Sequence, residues 1–168
     1  MILAYFTNRY GAASYTFIMT EVEHLRRLGH TVHTFSVRHP GPDQAVSDQV
    51  RREQDSTEYF LARGRRLASV PRILLALPKA IVTRHRRFAS VLLLAHRTSA
   101  AGLRARTRQM VYLVLACHLA ERMQAKGIEH LHNHLGSASA TIAMLAATLS
   151  GIPFSLTIHG GQIFYEPR

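Results

Sequence analysis

The stretch Ile128-Glu-His-Leu-His-Asn-His134-Leu-Gly136-Ser-Ala-Ser-Ala140-Thr-Ile-Ala-Met-Leu-Ala-Ala-Thr-Leu-Ser150-Gly-Ile-Pro-Phe154-Ser-Leu-Thr-Ile-His159-Gly-Gly161 decides the fold. A short run over 128–133 suits a strand, and the small residues of 137–150 suit a helix. Gly151-Ile-Pro153 then stops the helix before a second strand over 154–158. Two strands joined through a helix lie parallel with a right-handed crossover, so both end at one edge of the sheet. His134 and His159 reach that edge, which is where open α/β sheets bind ligands.

Upstream, Ile2-Leu-Ala-Tyr-Phe6 reads as a buried first strand, followed by the loop Asn8 to Ser14. Phe17, Ile18, Val22, Leu25 and Leu28 recur at helical spacing, with Ser14 placed as cap and Gly29 as stop, so a helix is expected over 14–28. Thr31 to Val37 reads as the second strand and Tyr59 to Leu61 as a short third one. Between them His39-Pro-Gly-Pro-Asp43 is a turn cluster, and no periodic signal follows up to Asp55. Residues 65–97 suggest two or three short helices opened or kinked by Pro71 and Pro78. Met110, Leu113, Val114, Cys117, Ala120 and Met123 mark a helix over 109–125, closed by Lys126-Gly127. The sum is an α/β chain, a Rossmann-like parallel sheet flanked by helices.

At 168 residues and 47% hydrophobic composition the chain fits one domain with a real core. The single cysteine, Cys117, allows no disulfide within the chain and points to a packing role in a reducing compartment. The amino terminus lacks a charged leader, so no signal peptide is expected. The longest apolar runs, 88–95 and 110–120, fall short of the roughly 18–20 residues a spanning helix needs. The net charge of +11 is concentrated in residues 51–108, which hold 14 Lys and Arg against three acidic residues. Arg84, Arg86, Arg87 and Arg97 border the apolar run that begins at Phe88, a pattern suited to an anionic membrane surface or to ordinary solvated helix faces. No recognition motif or aromatic platform accompanies the charge, so nucleic acid is not expected as a partner.

His130, His132 and His134 alternate and point to one face of their strand. A row with about 7 Å between successive rings does not converge on an ion, so no metal site is expected; His130 and His132 read as structural and His134 as the one that meets a ligand. Gly136 and the small residues after it leave helix N–H groups open to an anion or a sugar, or simply cap and pack the helix. His159, followed by Gly160 and Gly161, is placed to hydrogen-bond a substrate, or to lie solvated in a turn.

Three groups of residues resemble one family. They are Ser14-Tyr-Thr-Phe-Ile18 with Glu21 and Leu25-Arg-Arg-Leu-Gly-His-Thr-Val32; Gly127-Ile-Glu-His-Leu-His-Asn-His134; and Gly151-Ile-Pro-Phe-Ser-Leu-Thr-Ile-His-Gly160 with Ile163-Phe164. In this order they resemble the N-terminal domain of GT-B, family-four glycosyltransferases of the bacterial exopolysaccharide and colanic-acid type. The resemblance implies retaining, metal-independent transfer from a nucleotide sugar to a lipid-linked or membrane-associated glycan acceptor. It makes residues 1–168 a single, incomplete acceptor-side domain whose donor-binding C-terminal domain is absent. It implies His159 as the catalytic residue and Asn8, Gly11, Ser14, His134, Gly136, Gly160 and Gly161 as substrate contacts. No cofactor is expected in this chain, the nucleotide sugar belonging to the missing half, so the isolated chain is expected to be inactive. The implied location is cytoplasmic, peripheral on the inner face of the membrane.

The chain departs from the family pattern at Gly11, where relatives usually carry proline, at Tyr15, where they carry glutamate, and at Gln162, where they carry aspartate. Losing two carboxylates alters the acceptor contacts. Two other readings stand beside this one: a non-catalytic module that binds an anionic membrane or a partner through residues 51–108, and a metal hydrolase built on the three alternating histidines.

Overall fold

The computed structural model describes residues 1–61 and 66–159. Five strands, β1 (Ile2–Thr7), β2 (Thr31–Arg38), β3 (Glu58–Leu61), β4 (His130–His134) and β5 (Phe154–Thr157), form one sheet in the order β3-β2-β1-β4-β5. Every neighbouring pair is parallel. The helices are α1 (Thr16–Arg27), α2 (Asp48–Ser56), α3 (Arg66–Thr83), α4 (His85–Arg97), α5 (Leu103–Ala125) and α6 (Ala138–Ser150). The chain winds outward from β1 to β3, then returns through α3, α4 and α5 to β4 on the other side of β1. Strand order therefore reverses between β1 and β4, and the carboxyl ends of these two strands flank a topological switch point. The fold is Rossmann-like in general form.

Strand alternation sorts β1 into two cores. Ala4 and Phe6 join Phe35, Val37 and Leu131 in a large cluster completed by α3, α4, α5 and α6. Tyr5 faces the other way and packs with Val32 and with Ile18, Met19 and Val22 of α1. Ala143, Ala146 and Ala147 of α6 and Ala116 and Ala120 of α5 are buried, and their small side chains let these two helices approach closely. After α6 the chain turns at Gly151, whose φ of +77° lies in the left-handed region that favours glycine.

The structure changes several sequence expectations. α1 starts at Thr16 after a single 3-10 turn over Ala13–Tyr15, so Ser14 lies inside that turn and does not cap the helix. Leu28, at the end of the expected stripe, is 74% exposed. α2 was not foreseen because it buries only Val50 and Gln54, too little to make a period; its mark is Ser47, whose hydroxyl accepts from the Val50 N–H. Two helices, α3 and α4, cover 66–97 as expected, but the break falls at Arg84, and Pro71 and Pro78 lie inside the 18-residue α3 rather than opening helices. Burial of Ile73, Ala76 and Ala80 offsets the hydrogen bonds that the two prolines forfeit. α5 begins at Leu103 and buries Leu115, Ala116 and Leu119 beside the expected stripe, while Met110 is 45% exposed. It packs against α3, α4 and α6, and a helix covered on several sides buries more than one stripe. Cys117 is buried, and burial pushes its thiol up to about 11, in keeping with a packing role.

His118 of α5 sets its ring edge against Phe60, with centroids 4.8 Å apart, and its Nδ1 is buried without a hydrogen-bond partner among the described residues. Burial lowers its pKa from the ordinary 6.5, against the pull of Glu58 and Glu121 and helped by Arg122 and Arg72. The unfolded chain then binds more protons just below that value, so this contribution to stability is full above about pH 6.5 and declines as pH falls through the lowered folded value. Urea unfolding of His118→Leu is expected to show a flatter loss of stability between about pH 6.5 and 5 than the parent chain; an equal slope would contradict the assignment.

Candidate functional site

At the switch point one face of the sheet carries Tyr5 from β1 and His130, His132 and His134 from β4. His130 Nε2 and His132 Nδ1 each lie 2.7 Å from Ser155 Oγ on β5, so the first two histidines converge on one hydroxyl. His134 Nδ1 lies 3.0 Å from His159 Nε2, and the two rings meet edge to edge, nearly coplanar, with centroids 5.3 Å apart at 14°. From α1, Glu21 brings Oε2 within 3.2 Å of His134 Nε2 and accepts a 2.5 Å hydrogen bond from the Tyr5 hydroxyl on Oε1. Phe17, one helical turn before Glu21, sets its ring edge against both His134 and His159, at 5.8 and 4.9 Å.

His134 is 2% exposed, whereas His159 is open to solvent. The structure thus brings the two expected histidines together but gives them different positions: His159 can meet a ligand, and His134 holds it from beneath. The Glu21 contact is within ion-pair distance yet lacks hydrogen-bond alignment, which leaves His134 Nε2 a buried nitrogen without a hydrogen bond among the described residues. Burial lowers the His134 pKa, with Glu21 opposing and His159 reinforcing the shift. Burial likewise lowers His132 to about 4, aided by His134. Both imidazoles are therefore neutral near pH 7. Tyr5 is raised by burial and by its bond to Glu21, and so keeps its proton as a donor.

The loop after β1 is built separately. Tyr10 is fully buried, donates its hydroxyl to Glu53 Oε2 at 2.9 Å and its backbone N–H to Ser36 Oγ at 3.0 Å. Glu53 also pairs with Arg26 of α1. Asn8 uses its backbone oxygen to accept from the Arg38 N–H. Gly11 has φ +83°, its oxygen accepts from Gln54 Nε2 at 2.9 Å, and a Cβ there would meet Gln54 Cγ at 2.7 Å. Proline, held near −65°, cannot take this conformation. Ser14 is exposed and lines, with Arg9, Tyr15 and Gln44, a polar cleft of about 320 Å³ that excludes the imidazoles.

Gly136 is exposed in the turn before α6, after Leu135, a non-glycine residue at φ +74°. Such strain gathers where surrounding structure fixes a functional turn. Gly160 and Gly161 lie outside the described residues. Of the four expected membrane-facing arginines, Arg84 and Arg87 donate to the carbonyls of Leu149 and Ser150 at the end of α6, while Arg86 and Arg97 are exposed. A groove of about 540 Å³ between α4 and α5 is lined by Leu92, Leu93, His96, Arg106 and Met110. Among the described residues no helix is long and apolar enough to cross a membrane.

Sequence reasoning placed Phe17 in a core stripe and used Glu21 only as part of a motif. Their four-residue spacing on α1 was the available signal that both face the same imidazoles. No family model, no curated protein and no solved structure matches this chain.

Tyr10 anchors the loop through a hydrogen bond to a charged group. Tyr10→Phe is expected to cost about 1.5–3 kcal/mol in chemical denaturation, the usual worth of such a bond; a loss below about 0.5 kcal/mol would show that the loop is held otherwise.

Proposed function

We propose that this chain is the acceptor-binding half of a retaining GT-B glycosyltransferase acting on a membrane-associated or lipid-linked glycan. The observation that carries the reading is the exposed His159 imidazole, bonded edge to edge to a buried His134 at the carboxyl edge of a parallel sheet. Open α/β sheets bind ligands at that edge. An imidazole fixed in orientation can hydrogen-bond a sugar hydroxyl without the entropy cost of ordering a free side chain. In the transfer, the acceptor oxygen bonds to the anomeric carbon as the bond to the nucleotide breaks, and the acceptor proton passes to the leaving phosphate. His159 would position the sugar for that exchange. The donor would sit in a second domain, so residues 1–168 alone should turn over no nucleotide sugar.

Binding of a polyprenyl-linked sugar in detergent micelles tests the reading. The His159 ring signals are expected to shift on titration, and His159→Ala to weaken binding at least about tenfold, the worth of one good hydrogen bond. Unshifted His159 signals at saturating acceptor would contradict it.

A second reading, a non-catalytic module docked on an anionic membrane, is favoured by the groove between α4 and α5, where exposed Leu92, Leu93 and Met110 lie on the helices that carry Arg97 and Arg106. Co-sedimentation with anionic vesicles should weaken with salt and on substitution of Arg86 and Arg97, and should be absent with neutral vesicles. Arg84 and Arg87 are poor reporters because they cap α6. Equal binding to both vesicle types would remove this reading.

A further inference from the structure

We propose that Glu21, His132 and His134 form a site for one divalent transition-metal ion of the zinc class, with an outside ligand such as water completing its shell. One ligand atom from each residue lies within 4.8 Å of the others. Two imidazole nitrogens and a carboxylate oxygen make a donor set suited to zinc and its neighbours, and unsuited to calcium or magnesium, which prefer oxygen alone. Ligands about 2.0–2.2 Å from a tetrahedral ion lie about 3.4 Å apart, so a gap as wide as 4.8 Å must close by about 1.4 Å on binding. The Glu21 side chain, 43% exposed, gives an ion a route from solvent.

The surrounding groups are those a metal site requires. Metal-bound histidines engage their second ring nitrogen with a neighbour, which fixes the ring. His132 Nδ1 is held by Ser155 Oγ at 2.7 Å, and His134 Nδ1 by His159 Nε2 at 3.0 Å. His134 thereby turns Nε2 toward Glu21, and in His132 the nitrogen left for an ion is Nε2. His134 Nε2 is buried, lacks a hydrogen bond among the described residues and lies 3.2 Å from Glu21 Oε2. His132 Nε2 has a long 3.3 Å contact with Thr157 Oγ1. Glu21 is fixed in turn through Oε1 by the Tyr5 hydroxyl. The alternating row on β4 is not the donor set: His130 turns to Ser155, and the third ligand comes from α1. An ion here would tie α1 to β4 beneath His159.

The inference does not depend on glycosyl transfer, and its readout is ion binding by the 168-residue chain. After removal of metal with a chelator, titration with Zn2+ by calorimetry and with Co2+ by visible absorption is expected to give one ion per chain and the intense bands of four-coordinate cobalt. Glu21→Gln and His132→Gln should each weaken binding more than tenfold. Tyr5→Phe should weaken it by about ten- to a hundredfold, the range for loss of an outer partner. His130→Gln should leave it within about twofold, as for a site without that ligand. Circular dichroism checks folding; should His132→Gln fail to fold, the partly exposed Glu21→Gln decides. Absence of stoichiometric uptake, or equal affinity in the parent and Glu21→Gln, would overturn the site, the latter by locating the ion among the other histidines.

Discussion

A buried imidazole needs a partner for each ring nitrogen, and at the carboxyl edge of this sheet His134 has a hydrogen bond on one nitrogen and only the carboxylate of Glu21 near the other. His134 turns Nδ1 to His159 after β5 and Nε2 to Glu21 on α1. It thereby joins three elements that the sequence separates widely. Leaving such a nitrogen without a hydrogen bond costs about 1–3 kcal/mol, a cost that Nε2 carries among the described residues. Tyr5 donates its hydroxyl to Glu21, and Phe17 makes edge contacts with both rings. The strained Leu135 follows immediately, where the chain leaves β4 for α6.

Much of this was legible in the chain. The apolar run of β1, the alternation of β2, the small-residue α6 and its stop at Gly151 define parallel crossovers, and parallel crossovers deliver His134 and His159 to one edge. That inference needed only strand period and handedness. What failed has local reasons. α2 carries almost no apolar surface, so its cap at Ser47 was the one mark it left. Pro71 and Pro78 suggested where helices open or kink, yet both lie inside α3, and the break between the two helices of this segment falls at Arg84. Glu21 and Tyr5 could not be joined to the histidines from sequence because contacts between β1, α1 and β4 depend on the rotation of α1 over the sheet, which periodicity does not specify.

The basic middle of the chain divides by role. Arg122 forms a two-point contact with Glu58 on the edge strand, and Arg84 and Arg87 satisfy carbonyls at the end of α6. These cations serve the fold, and exposed ones such as Arg86 and Arg97 remain for a surface. Likewise the loop after β1 splits into a buried anchor, Tyr10, and an exposed rim at Ser14. Charge and loop position alone assign neither division; the partners of each side chain do.

The central claim is that His134 holds His159 at the switch point through a direct bond between their rings. Nitrogen-15 magnetic resonance of the histidine side chains tests it most directly, because a hydrogen bond between two ring nitrogens transmits a measurable coupling. The account predicts a coupling that links His134 Nδ1 to His159 Nε2 and disappears in His134→Gln. Ring signals of His159 without such a coupling, and unchanged by that substitution, would contradict it.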